Sequence, residues 1–164
     1  MVLILFLTLS LLTPQSRGTT LPAVPEIVAS SYGEETRSQI TKALDAVRQR
    51  PLDASTNGRL AMILHSYEEY ESAEVCYRRA RQLARELRWV YLHGLIQAQL
   101  GRHTDAVATL REAERIDPSW WLTRLRMAES LYSLGQFAES RSLLVPLIRE
   151  RSEEHTSELQ SPYV

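Results

Sequence analysis

The chain has 164 residues, of which 44% are hydrophobic and 24% charged, and these values are ordinary for one globular domain. The formal net charge is −1, which excludes a nucleic acid as the default partner because phosphate contacts need a clustered excess of basic residues. The single cysteine, Cys76, cannot form an intramolecular disulfide, and the sequence has no C-x-x-C motif for zinc, so we expect a small buried helix residue.

An apolar run, VLILFLTLSLL, occupies residues 2–12. It is too short to span a bilayer, which takes about 20 residues, and it suits the core of a secretory signal. We therefore predict a signal peptide-like segment over residues 1–23, cleaved near Ser16 or Ala23, no stable membrane span after its removal, and a secreted or periplasmic protein. Because no Lys or Arg precedes the run and no A-x-A site follows it, the alternatives are an interfacial helix or a misassigned start codon on a cytoplasmic protein.

The next part of the chain, between Thr13 and Glu34, is rich in Pro, Ser, Thr and Gly. This composition predicts a linker over residues 24–35. Past residue 35 the apolar residues recur with helical spacing almost throughout, and no strand signal appears. The pattern predicts an all-α domain over residues 36–150.

An internal repeat organises these helices. The segment YESAEVCYRRA at Tyr70–Ala80 returns as HTDAVATLREA at His103–Ala113 and as FAESRSLLVPL at Phe137–Leu147, in steps of 33 and 34 residues. Gly101 and Gly135 also lie 34 residues apart, each where a helix is predicted to end. The three predicted helix pairs, which follow a partial unit, cover about residues 54–86, 87–120 and 121–150.

These residues resemble the tetratricopeptide repeat family, whose pattern has a large and a small residue in the first helix of each unit, Gly at the turn, and small, large and small residues in the second helix. Glu68 departs from the pattern at the turn of the first full unit, and His93 takes a usually apolar place in the second. The resemblance covers about residues 38–150 and implies a right-handed α-solenoid of about three stacked antiparallel helix pairs. Stacking is needed because one helical hairpin cannot bury its apolar face alone.

The last residues fit no repeat register. The stretch RSEEHTSELQS at 151–161 resembles the translation of a widely used sequencing-library adapter. We therefore expect residues 151–164 to be an artefactual disordered tail and the true gene to continue past residue 150; a natural disordered polar tail is the alternative. The last repeat helix is apolar at Leu144 and Ile148 and lacks a cover in this sequence, which predicts possible self-association through that end.

The resemblance also implies a concave groove, lined by the first helix of each unit, in which partners of the family bind as extended segments or helices. Apolar contacts by Met, Tyr and Leu, with Arg88 as the main donor, are typical of interfaces. The Lys and Asn with which one subclass grips a C-terminal carboxylate are absent, since Gly58 and Met62 stand at the matching positions. Carried onto this chain, the groove positions are Met62, His65, Ser66, Arg88, Tyr91, Leu95, Gln99, Leu122, Leu125, Glu129 and Tyr132.

No motif for catalysis accompanies the repeat: the sequence has no Gly-rich phosphate loop, nucleophile elbow or HExxH. His65, Glu68 and Glu69 could supply metal ligands at helical spacing, but two further ligands are not apparent. The tryptophans that open helices are expected to pack between units or to form an aromatic patch for a partner; they are Trp89, Trp120 and Trp121. The sequence therefore predicts a non-enzymatic interaction scaffold, without cofactor or metal, for a protein or peptide partner. The alternative is the N-terminal adaptor of a larger enzyme or transport protein whose functional domain follows residue 150.

Overall fold

The structure is a computed structural model that describes residues 20–159, and of residues 151 and 153–159 it describes the backbone alone. The apolar run of the signal-like segment lies outside this part of the chain. The described residues contain no β-strand, which confirms the all-α prediction. A short 3-10 helix, Ala29–Ser31, precedes seven α-helices: α1 Glu34–Gln49, α2 Ala54–Ser66, α3 Tyr70–Leu83, α4 Leu87–Gln99, α5 His103–Ile116, α6 Trp121–Ser133 and α7 Phe137–Leu159.

Each α-helix packs against its neighbours in sequence, and α4 additionally contacts α6. The short turns fold α2 with α3, α4 with α5, and α6 with α7 into helix pairs, and the pairs stack in order behind α1. This arrangement is the predicted solenoid of stacked helix pairs. None of the helices within residues 20–159 is long and apolar enough to cross a bilayer.

The turn inside each pair has the same left-handed geometry. Gly101 and Gly135 have φ of +72° and +74°. At the Gly101 turn the Arg102 amide donates to the Gln97 carbonyl at 2.8 Å, as in a Schellman motif at a helix C-terminus. Glu68 takes the same conformation with φ of +63°, and the Glu69 amide donates to the Leu64 carbonyl at 3.0 Å. The register predicted from the repeat is therefore correct at all three turns, including the one without glycine.

Glycines allow two close helix contacts. A Cβ on Gly58 of α2 would lie 2.2 Å from Cζ3 of Trp89, which lies in the first turn of α4. A Cβ on Gly94 would lie 2.8 Å from Cγ of Leu110 within the second pair. Trp89 is only 2% exposed, so it packs between units, as one of the two sequence interpretations proposed.

The linker predicted for residues 24–35 is instead part of the domain. Val24, Ile27 and Tyr32 pack against the core formed by α1, α2 and α3, and the Tyr32 hydroxyl donates to Glu69. Its Pro and Ser content suggested an open chain, but its few apolar side chains recur closely enough to cover one side of α1 and α2. We call residues 20–33 the N-terminal segment.

The tail also differs from the prediction. Helix α7 continues to Leu159, so the backbone of residues 151–159 is helical where disorder was predicted, and residues 160–164 lie outside the described chain. Residues 151–158 contain three Glu and one Arg, which are good helix formers and extend a helix that is already nucleated by packing. The origin of residues 151–164 as translated adapter sequence stays a prediction.

Candidate partner-binding groove

The predicted groove residues lie on the first helix of each pair. They fall on α2, α4 and α6, and four of them contact a neighbouring helix of this set. Met62 and Tyr132 project into solvent with exposures of 51% and 65%, whereas Leu122 and Leu125 are half-buried. Those with contacts to a neighbouring helix are His65, Arg88, Tyr91 and Gln99, and Leu95 and Glu129 line the cleft described below.

His65 links the first two units. Its Nε2 lies 2.5 Å from Oε1 of Gln99 on α4, and its Nδ1 lies 3.3 Å from the Tyr77 hydroxyl on α3. The Gln99 carbonyl oxygen accepts from Nε2, and the Tyr77 hydroxyl, which can donate or accept, is the partner of Nδ1. Because both ring nitrogens have partners, this geometry does not favour the metal site considered with Glu68 and Glu69.

Arg88 lies at the start of α4, where α2 approaches. Its guanidinium donates to Ser55 Oγ at 3.2 Å and to Glu86 Oε2 at 2.9 Å. It also stacks over the Trp89 ring, with Cζ 4.1 Å from the ring centroid, a favourable cation–π distance. The side chain is thus held in place while more than half of it stays exposed.

The second and third units are joined by Arg126 of α6. Its guanidinium donates to both carboxylate oxygens of Glu129, at 3.1 and 2.9 Å. Hydrogen bonds with Glu129 first and Tyr91 second raise the pKa of Arg126 above its usual range. The pairing therefore connects a predicted groove residue of α4 with one of α6 through a residue that the sequence analysis did not select.

Beside this pair lies a cleft between α4 and α6, with a volume of about 350 Å³. Leu95 and Ala98 form the apolar part of the cleft wall, and the other lining residues are polar. Three of its lining residues, Leu95, Gln99 and Glu129, were predicted groove residues, and the others were missed. The residues that line the cleft are Leu95, Ala98, Gln99, His103, Arg126, Glu129, Ser130 and Ser133.

The arrangement resembles that of solved structures of MamA. Two crystal structures of MamA match with TM-scores of 0.66 and 0.68 at 16% and 17% identity; they cover 71% and 79% of this chain and 69% and 70% of theirs. The structure described as MamA MSR-1 C2 matches with a TM-score of 0.59 at 15% identity, covering 73% of this chain and 70% of that one. No curated protein matches the chain in sequence.

The family model described as tetratricopeptide repeat matches residues 90–119, which extend from α4 through α5 to the next turn. Residues 90–119 therefore contain a tetratricopeptide repeat. The matched tetratricopeptide unit contains Gly94, Gly101 and Leu110, the residues at which the close contact and the left-handed turn occur.

Behind the groove, the protein has a buried polar network at the place where His93 departs from the tetratricopeptide pattern. His93 is 3% exposed; its Nε2 lies 3.1 Å from Glu74 Oε1 on α3, and its Nδ1 lies 3.1 Å from Nη1 of Arg81. Arg81 also donates to Glu112 of α5. The hydrogen bond with His93 is the main reason why the pKa of Glu74 is lowered, since burial alone would raise it. The network connects two consecutive units.

Proposed function

We propose that this protein is a non-catalytic scaffold that binds a partner protein or peptide in the groove lined by α2, α4 and α6. The observation that carries the proposal is that predicted groove residues contact the neighbouring unit: His65 Nε2 lies 2.5 Å from Gln99 Oε1, and Tyr91 packs against the cluster that contains Met127 and Leu131 of α6. Side chains held in this way lose less freedom on binding, which favours affinity. The tetratricopeptide fold supports an interaction scaffold in general terms.

A paired substitution tests the groove. Tyr and Arg are the commonest side chains with large contributions to protein interfaces, so Arg88→Ala combined with Tyr91→Ala should weaken partner binding by about 10-fold or more. The matched control is Gln82→Ala with Arg115→Ala, since both side chains are exposed on the second helices of their pairs. Partner capture from a lysate of the source cells is compared by mass spectrometry, with helical content checked by circular dichroism. Equal capture by both double variants contradicts the groove assignment.

Self-association through α7 is a second candidate function. Phe137, Val145 and Ile148 of this helix are 58%, 55% and 65% exposed, whereas Leu110, which has the register of Leu144 one unit earlier, is fully buried by the unit that follows. Ile148→Asp should therefore abolish any concentration-dependent increase in mass measured by light scattering. Leu52→Asp is the control, because Leu52 is an aliphatic residue that is also exposed, at 73%, and lies far from α7 in the sequence. A mass that rises equally in both variants contradicts this role for α7.

Export is the third part of the proposal. The short apolar run at residues 2–12 supports it, and the packed N-terminal segment begins only after that run. N-terminal sequencing of the protein purified from separated cell fractions should find a start between residues 14 and 24. An intact Met1 on protein from the cytoplasmic fraction contradicts export.

A further inference from the structure

The cleft between α4 and α6 contains buried polar atoms that form no hydrogen bond within the described chain. Ser130 is 1% exposed, and its Oγ has no partner among residues 20–159. A serine inside a helix ordinarily donates to the carbonyl of the preceding turn. His103 Nδ1 and Arg126 Nε are likewise buried and without a partner there. All three residues line the cleft, and unsatisfied buried groups are unfavourable until a ligand or water supplies the missing bond.

The charges of the cleft balance each other. Arg126 and Glu129 are its charged side chains in the described chain, and they pair with each other through two hydrogen bonds. A ligand carboxylate would meet the Glu129 carboxylate, and a ligand ammonium would meet the Arg126 guanidinium. Either ion would also lose its hydration on entry. A neutral polar group avoids both costs.

The unpaired atoms are mixed in character. Arg126 Nε carries a proton and can only donate, whereas the Ser130 hydroxyl and His103 Nδ1 can each donate or accept. A primary carboxamide offers a carbonyl oxygen that accepts and an NH₂ group that donates, so it matches this set. Leu95 and Ala98 supply an apolar wall for methylene groups. The volume of about 350 Å³ lies at the small end of ligand sites, which suits one or two side chains.

We propose that this cleft binds the side-chain carboxamide of a Gln or Asn residue in the partner segment. The inference rests on the proposed groove function and makes it chemically specific: the partner would place an uncharged amide side chain between the second and third units. Ser130, Arg126 and His103 would be the binding residues that sequence reasoning missed, beside the predicted residues Leu95, Gln99 and Glu129.

Solution NMR with blocked amino acids tests the chemistry directly. Uniformly ¹⁵N-labelled protein is titrated with N-acetyl-glutamine N-methylamide, and in parallel with the glutamate and leucine analogues. The glutamine probe should shift the amide signals of Gln99, Glu129 and Ser130, with a dissociation constant on the order of 1 mM. The glutamate and leucine probes should bind about 10-fold more weakly. Ser130→Ala should weaken the glutamine probe several-fold, whereas the control Ser142→Ala, on the exposed face of α7, should not.

Several results would overturn the inference: equal or tighter binding of the glutamate probe, shifts that lie outside the cleft, no shift at about 50 mM probe, or equal binding by Ser130→Ala and Ser142→Ala. These outcomes are distinct from failure of the groove. If the double variant of Arg88 and Tyr91 loses its partner while the glutamine probe does not bind, the carboxamide inference fails alone. If the probe binds in the cleft while the double variant keeps its partner, the groove function fails and the carboxamide site stands.

Discussion

Glu68→Gly should stabilise the protein, because it relieves the left-handed backbone at the turn between α2 and α3. Glu68 has φ of +63°, a conformation in which Cβ approaches the following carbonyl oxygen and which costs roughly 1–2 kcal/mol for an ordinary residue. Glycine removes this cost but loses more freedom on folding, by about 0.5–1 kcal/mol. The net gain in free energy of unfolding is then about 0.5–1 kcal/mol, which corresponds to a rise in Tm of about 1–4 °C for a domain of this size.

The assay is thermal unfolding followed by circular dichroism, with urea unfolding for the free energy. Glu71→Gly is the matched control, since it makes the same chemical change three residues later, at an exposed position in the first turn of α3. There glycine should lower stability by about 1 kcal/mol, because helical backbone is less favourable for glycine and an acidic residue near the helix N-terminus is lost. The two variants should therefore differ in sign. A fall in Tm for Glu68→Gly would refute the argument that this turn is strained.

Three further predictions concern the core. Gly58→Ala should destabilise by about 1–3 kcal/mol in urea unfolding, because its Cβ would lie 2.2 Å from the Trp89 ring. Gly33→Ala, with nothing within 4 Å of its Cβ, should cost less, because it loses only the preference for glycine over alanine at the N-cap of α1. The lowered pKa of Glu74 means that its ionised form contributes stability above its usual pKa of 4.5 and that this stability is lost as the pH falls below that value. Glu74→Gln should therefore flatten the decline of the urea midpoint between about pH 5 and 3, and an unchanged decline would contradict this. Burial raises the pKa of Cys76 to about 12, so a thiol reagent at about pH 8 should label it only after unfolding; rapid labelling of native protein would contradict the buried position.

The repeat period made most of the fold predictable. A step of 33 or 34 residues between equivalent positions specifies where helices pair and where they turn, because every unit must bury the same face against the next. Glu68 shows how strong this constraint is. Its residue type argues against a left-handed turn, yet its register with Gly101 and Gly135 predicts one, and the register is correct.

Residues that act through unrepeated partners were not predictable in the same way. His93 was recognised only as a departure from the family pattern, since its partners Glu74 and Arg81 lie on another helix and recur in no other unit. The roles of Arg126 and Ser130 depend on which side of α6 faces α4, and one helix position changes that direction by about 100°. The positions carried over from the family included Leu125 and Glu129 of α6. They did not include Arg126, which lies between these two in sequence and whose pKa is raised by hydrogen bonds with Glu129 and Tyr91.

The cover formed by the N-terminal segment depends on one arginine. Arg79 of α3 is 5% exposed and donates to the Pro22 carbonyl, to the Pro51 carbonyl at 3.1 Å and to Asn57 Oδ1 at 2.7 Å. One guanidinium therefore binds acceptors in the N-terminal segment, in the loop between α1 and α2, and in α2.

A protease that cut after Ala23 would remove one of these acceptors and leave part of a buried cation unpaired, which is costly. A cut near Ser16 would leave all three acceptors in place. Of the two cleavage positions that the sequence suggests, the stability of the folded product therefore favours Ser16, and a shortened chain that begins at Val24 should unfold at lower temperature than one that begins at Arg17.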